Sequence, residues 1–285
     1  MRITIGRSAA ILGLMVLCGL LSAVPSSAQQ TEDHLQRSFA IQPGGTLVVE
    51  NYKGLIRVSG SDSSQVVVNV LKKFEGSDKD RGWWMANTQV HFTNANDRVE
   101  VSVEYPSCNC STTDWDNHEG YQASVELTIQ VPRKINLQVK GYKPVINISA
   151  IEGEIHVSSY KAPIEIQGTS GGIHVETYKE TVQLKDVVIR GALEVQMAKG
   201  EASIEARSLG ERVNLETEKG TIVLKAPQGA AMTLDYSGGR RSNFRSDFTI
   251  AAETGSSSAV RGTINGGGTQ VHLRSEKGSI TLEKL

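Results

Sequence analysis

Between Tyr142 and Leu224 apolar and polar residues alternate with a period of two, and the alternation itself returns every 18 to 20 residues. The phrase Tyr142-Lys143 followed by Ile146 and Ile148 recurs as Tyr160-Lys161 with Ile164 and Ile166, and as Tyr178-Lys179 with Val182 and Leu184. It continues as Lys199 with Ala202 and Ile204, then Lys219 with Ile222 and Leu224. Half a step away stand the triplets Ile155-His156-Val157, Ile173-His174-Val175, Leu193-Glu194-Val195 and Val213-Asn214-Leu215. A period of two marks strands, and a constant step marks one supersecondary unit stacked on the next. The pattern predicts an all-β fold, a single-stranded parallel β-helix or β-solenoid with 18–20-residue coils, right-handed by the crossover rule. A sheet of antiparallel hairpins is the rival, but hairpins favour two-residue turns and need no translational repeat.

The same phrase occurs once earlier, as Tyr52-Lys53 with Ile56 and Val58, so the array is expected to start near Thr46 and then be interrupted. Residues 29–45 read as a mobile lead-in, and an irregular insertion is expected over about 72–120. Within it, Glu75 to Ala86 suggests a short helix, Gln89 to Thr93 and Arg98 to Tyr105 alternate as strands, and Pro106 to Gly120 has no period. Past Pro227 the coils lengthen, with Arg240 to Arg245 expected as a loop thrown out from one of them. Lys219-Gly220 and Lys277-Gly278 are 58 residues apart, close to three steps, so the array is expected to run in order to the last residue.

Residues 1–28 have the layout of an export signal. Arg2 and Arg7 precede an apolar run from Ile11 to Leu21, Pro25 breaks it, and Ser26-Ser27-Ala28 offers small residues for cleavage. The run is short for a membrane span, which needs about 20 residues. Leu17 before Cys18 excludes a lipoprotein signal, so no membrane span is expected after cleavage. Taking away Arg2 and Arg7 makes the formal charge of −1 more negative by two, and no broad basic field remains for nucleic acid. The exported body keeps Cys108 and Cys110, a candidate disulfide in an oxidising compartment, although so tight a ring is strained.

Candidate chemistry follows from stacking. His156 and His174 should be outward neighbours with Glu194 next in line, the weak candidate for a metal site; the same positions are also simply the solvent side of a strand. No metal or other cofactor is expected. The lysines at 143, 161, 179, 199 and 219 form a second ladder beside Tyr142, Tyr160 and Tyr178, suited to an acidic glycan or merely to solvated corners. Trp83, Trp84, Trp115 and Tyr121 are the remaining candidate contact residues, since aromatics carry much of the energy at binding surfaces; covering an open end of the array is the competing role. Asp114, Asp116, His118 and Glu119 make the one dense polar cluster. No nucleophile elbow, zinc motif or phosphate loop occurs, and the regular coils hold almost no Asp besides Asp186.

Several phrases together carry a resemblance: Asn51-x-x-Gly54-x-Ile56-x-Val58, then Val131-Pro132 before Ile135-Asn136-Leu137-x-Val139, repeated Gly-x-Ile-x-Val units, and Gly266-Gly267-Gly268 ahead of Lys277-Gly278-Ser279-Ile280-Thr281-Leu282. They resemble the bacterial DUF4097 adhesin-like family and the related GIN-type domains. The resemblance implies an exported β-helical protein with an adhesin label, and its motifs are structural phrases rather than catalytic ones; the Trp- and Cys-containing insertion departs from it. The expectation is therefore a non-enzymatic interaction module, periplasmic or at the cell surface, whose partner is a glycan or another envelope protein. The alternative is a carbohydrate-active enzyme, a polysaccharide lyase or hydrolase, which would need convergent carboxylates in a cleft.

Overall fold

A computed structural model describes residues 33–75, 78–106, 123–256 and 258–285. In chain order, strands β1 (Asp33–Ala40), β2 (Thr46–Ser61) and β3 (Gln65–Phe74) lead into helix α1 (Asp78–Asn87). The hairpin β4 (Gln89–Ala95) and β5 (Arg98–Glu104) follows, then β6 (Ala123–Pro132). The repeating region contains β7 (Asn136–Ser149), β8 (Ile155–Lys161), β9 (Ile164–Gln167), β10 (Ser170–Lys179), β11 (Thr181–Met197), β12 (Glu201–Leu209), β13 (Arg212–Thr217) and β14 (Thr221–Ala226). The last part comprises β15 (Met232–Gly238), β16 (Asn243–Ser246), β17 (Ala251–Ser256), β18 (Ala259–Ile264), β19 (Thr269–Ser275) and β20 (Ser279–Lys284).

The described chain is all-β apart from α1, and the repeating phrases pair parallel, like on like. Ile155 faces Ile173, Ile173 faces Leu193 and Leu193 faces Val213 in a first row of strands. Ile146, Ile164, Val182, Ala202 and Ile222 are matched in a second. A third, shorter row runs through Glu152, Ser170, Val188 and Ser208. The apolar members of the triplets point inward, where Ile146, Ile166, Val175, Leu193 and Leu215 are at most 1% exposed. Each level alone has only a few such side chains, so burial worth about 1.5–3 kcal/mol apiece requires the neighbouring levels. Antiparallel pairing, the rival architecture, is confined to the two ends: β1 on β3, β3 on β6 and β4 on β5 at one, β15 on β18 and β17 on β18 at the other.

The levels do not follow chain order. Strand β19 lies between β13 and β15, and β20 between β14 and β16. Val271 and Leu273 cover Val213 and Leu215, while Leu234 and Tyr236 cover them in turn. The phrases at Lys219 and Lys277 are thus one level apart rather than three. The other end repeats the device: β2 is flanked by β7 on one side and by β5 and β6 on the other. The expected loop at Arg240 to Arg245 is corrected accordingly, since Asn243–Ser246 is a strand held by β20 and only the turn before it is free of the ladder.

Two further expectations change. The lead-in over 29–45 is a strand from Asp33 to Ala40, because the segment's backbone groups pair along all of Gln65 to Lys72. The insertion over 72–120 is regular through α1, β4 and β5. The irregular stretch with Cys108, Cys110, Trp115 and Tyr121, and the polar cluster from Asp114 to Glu119, lie outside the described residues, as do residues 1–28.

Two measurements test this packing. Ile166 stacks between Ile148 and Leu184 and is fully buried. Ile166→Val should cost about 0.5–1.5 kcal/mol by urea unfolding, whereas Ile166→Asp should prevent soluble folding, because it places an unpaired charge between two apolar levels. Deleting 269–285 should abolish the cooperative transition of the chain, since it removes an inner level; loss of only a small, proportionate share of stability would place that coil at an end.

Candidate functional site

The corner between the first and second rows collects the most repetitive side chains. In-register stacking puts Tyr52, Tyr142, Tyr160 and Tyr178 at successive levels, with ring centroids 4.7, 4.8 and 4.9 Å apart and planes within 17° of parallel. One end of the stack is closed by Tyr105, whose ring meets Tyr52 edge-on at 6.0 Å. The Tyr105 hydroxyl lies 2.9 Å from Asn51 Oδ1 and 2.8 Å from the Lys53 carbonyl oxygen, and buried Asn51 donates through Nδ2 to the Val125 carbonyl. At the other end the tyrosine position becomes Ala198, and Lys199 covers the last ring, its ammonium 5.2 Å from the Tyr178 centroid and 3.2 Å from the hydroxyl.

The ring faces are therefore occupied by one another. Ring edges rather than faces adjoin two neighbouring open depressions, of about 490 and 620 Å³, and the Tyr52 hydroxyl is itself buried. The first lies beside Tyr52, Tyr105, Tyr142 and Tyr160, the second beside Tyr178, Glu176, Glu216 and Glu218, and both include Ser158 and Ser159. Stacking of a sugar ring on these tyrosines is thus blocked at every inner level.

Next to each tyrosine position the corner has a lysine. Lys53 is paired with Lys143 and Lys161 with Lys179, and the same register carries the column through Lys199, Lys219 and Lys277. The sequence ladder of five is therefore longer by Lys53 and Lys277. Lys143 and Lys161 lie over the rings of Tyr142 and Tyr160 at 5.7 and 5.0 Å. Lys53 instead pairs with Glu75 at 2.6 Å, where the chain enters α1.

The other expected residues are placed as follows. His156 and His174 are neighbours, 5.4 Å between centroids, but both His174 nitrogens already face carboxylates: Nδ1 is 2.9 Å from Glu194 and Nε2 is 3.0 Å from Glu176. Arg212 also holds Glu194. Among the described residues no group of three or more His, Cys, Asp or Glu side chains is arranged to hold a metal ion. Trp84 is 7% exposed, packed with Phe74, Ala123 and Met85, so it is a core side chain rather than a contact residue. Trp83, one helical step of about 100° further round, is 51% exposed and meets Trp84 edge-on. Tyr105 had no periodic signal in the sequence; its only mark is a place at the end of an alternating run.

Glu75, just past the end of β3, links the corner to β6 through Lys53 and Ser124. Partial burial pushes its carboxyl up, but the hydrogen bond and charge of Lys53, the Ser124 hydroxyl and the charge of Lys73 outweigh this and hold it below its ordinary 4.5. A carboxyl depressed in the folded state stabilises fully above its unfolded value and loses that contribution as the pH falls through its folded value. Unfolding free energy should therefore drop below pH 4.5 more steeply in the parent than in Glu75→Gln, with the two curves parallel above that pH; identical slopes in acid would refute the clamp.

No curated protein matches the chain significantly. Among the described residues no helix is long and apolar enough to cross a membrane. Several crystal structures are similar to it, three of them as follows. A “putative cell adhesion protein” from Clostridium sporogenes has a TM-score of 0.42 at 11% identity, covering 90% of this chain and 100% of that one. A “putative adhesin” from Bacteroides fragilis has 0.32 at 10%, covering 90% and 99%. Another from Parabacteroides merdae has 0.34 at 11%, covering 87% and 95%. The Toastrack DUF4097 profile matches residues 136–283, from the start of β7 into β20. That span is more than half of the sequence and contains six of the seven corner lysines, and the chain belongs to the Toastrack DUF4097 family.

Proposed function

We propose that this chain is an exported, non-enzymatic, right-handed β-solenoid that works as an adhesin-like interaction module of the bacterial envelope. The observation that carries this reading is the corner itself. Seven levels in register repeat a lysine at this corner, with tyrosines at four of them stacked on one another. A compact substrate would meet only one or two levels, whereas a repeating partner meets all of them with side chains that need little ordering on contact. The leader-like residues 1–28 support export, with a body that begins after Ala28 and acts in the periplasm or at the cell surface. A glycan or another envelope protein fits as partner. Trp83, exposed on α1, supplies a second contact point, and Trp115 and Tyr121 belong to the same proposal from sequence alone.

A panel of acidic and neutral glycans and isolated envelope proteins, screened with the mature chain for both retention and cleavage, tests the reading. Saturable retention without new chain ends is expected, weakened roughly thirtyfold, about 2 kcal/mol, by Trp83→Ala or Trp115→Ala if those side chains are anchors. Cleavage abolished by one groove substitution such as Glu216→Gln would overturn it in favour of the enzyme.

A further inference from the structure

We propose that the lysine corner is the binding site for an extended acidic polysaccharide with one carboxylate per sugar, lying parallel to the stacking direction. The inference rests on the reading of the chain as an interaction module and names its ligand. Five observations carry it. The column is continuous: backbone pairing places Lys143, Lys161, Lys179 and Lys199 on consecutive levels, with Lys219 and Lys277 beyond. Its step equals that of the neighbouring rings, 4.7–4.9 Å, which is close to the length of one pyranose unit in an extended chain. Among the described residues no carboxylate lies within ion-pairing distance of Lys143, Lys179, Lys199, Lys219 or Lys277. The ammonium groups of Lys143, Lys161 and Lys199 are already steered by the tyrosine rings, which lowers the ordering cost of binding. Finally, like charges on paired strands are destabilising, so repulsion along the column offsets what the ring contacts of Lys143, Lys161 and Lys199 contribute to the fold.

The form of the column selects the polyanion. A single file of charges, bordered by Glu180, Glu218 and Glu276, makes a line rather than the broad field that an anionic vesicle would need. Duplex nucleic acid carries a charge about every 1.7 Å along its axis, several for each lysine level. A uronate chain offers one charge per level and hydroxyls for the tyrosine edges in the adjoining depressions.

The test is calorimetric titration of the mature chain with polygalacturonate, dextran, duplex DNA and phosphatidylglycerol vesicles. Polygalacturonate should bind with an affinity that falls as salt rises, and dextran should not bind. Lys161→Glu with Lys179→Glu should weaken binding at least about tenfold, while Lys185→Glu with Lys225→Glu, on the second row, should leave it within about twofold. Lys161→Ser with Lys179→Ser guards against misfolding: its melting temperature without ligand should equal or exceed the parent's at low salt, with the same loss of binding. Failure to bind polygalacturonate, equal binding of dextran, unchanged binding by the column variants, or tighter column-dependent binding of DNA or vesicles would each overturn the proposal. If polygalacturonate fails while other envelope material is still retained without cleavage, the ligand assignment falls alone; cleavage would remove the interaction reading with it.

Discussion

Parallel stacking in register governs this molecule, because no level can bury its own apolar residues and each must lie under a copy of itself. A residue chosen once becomes a column. For Ile, Val and Leu the column is a core; for tyrosine it is a stack; for lysine it is a line of like charges, each neighbouring pair costing about 1 kcal/mol if held 4–5 Å apart in water. At the corner, Gly200 has φ +116° and a Cβ there would strike the Glu180 carbonyl oxygen, so the approach of one level to the next requires glycine. Glu180 adopts φ +102° at the equivalent place without that freedom, a local cost accepted beside the Lys179 corner.

The same stacking leaves two open ends, where unpaired strand edges would recruit further copies. The chain manages this by placing β2 and the β19–β20 level one step inside and folding excursions over them. The excursions turn the pairing antiparallel, through β3 and β1 at one end and β18 and β17 at the other. A translational repeat cannot be continued on an antiparallel edge without breaking register. The end strands also lose the inward alternation: β1 is largely exposed along its length, unlike every strand of the repeating region.

Alternation and step were legible because both are local: they fix which face a residue occupies and which phrase it matches. Tyr52 was assigned to the tyrosine series on that basis, and it stacks on Tyr142. The order of levels was not legible. Val213 could be followed by any apolar pair of suitable size, and the choice of Val271 over Leu234 depends on packing between segments 58 residues apart. Nor does a pair such as Trp83-Trp84 reveal which ring faces the core, since α1 is too short and too polar to show a clear stripe. His156 and His174 are neighbours as expected, but Glu194, the cross-strand carboxylate of the metal reading, already faces one His174 nitrogen, and Glu176 on the same strand face, which that reading did not include, faces the other.

The tyrosine stack changes how the corner can recognise anything. Faces that would grip a sugar are spent on each other, so what remains is charge at the ridge and ring edges beside the depressions. These are not uniform along the axis. Lys143, Lys161 and Lys199 lie over tyrosine rings; beyond Ala198 the same position becomes Glu218 and then Glu276, which weakens the positive potential of Lys219 and Lys277. The ridge therefore has a direction: a rigid, cationic half supported by aromatic packing and a mixed-charge half supported by none. An extended partner that matched only the step would slide along such a ridge, and the loss of tyrosine after Tyr178 gives it one preferred end.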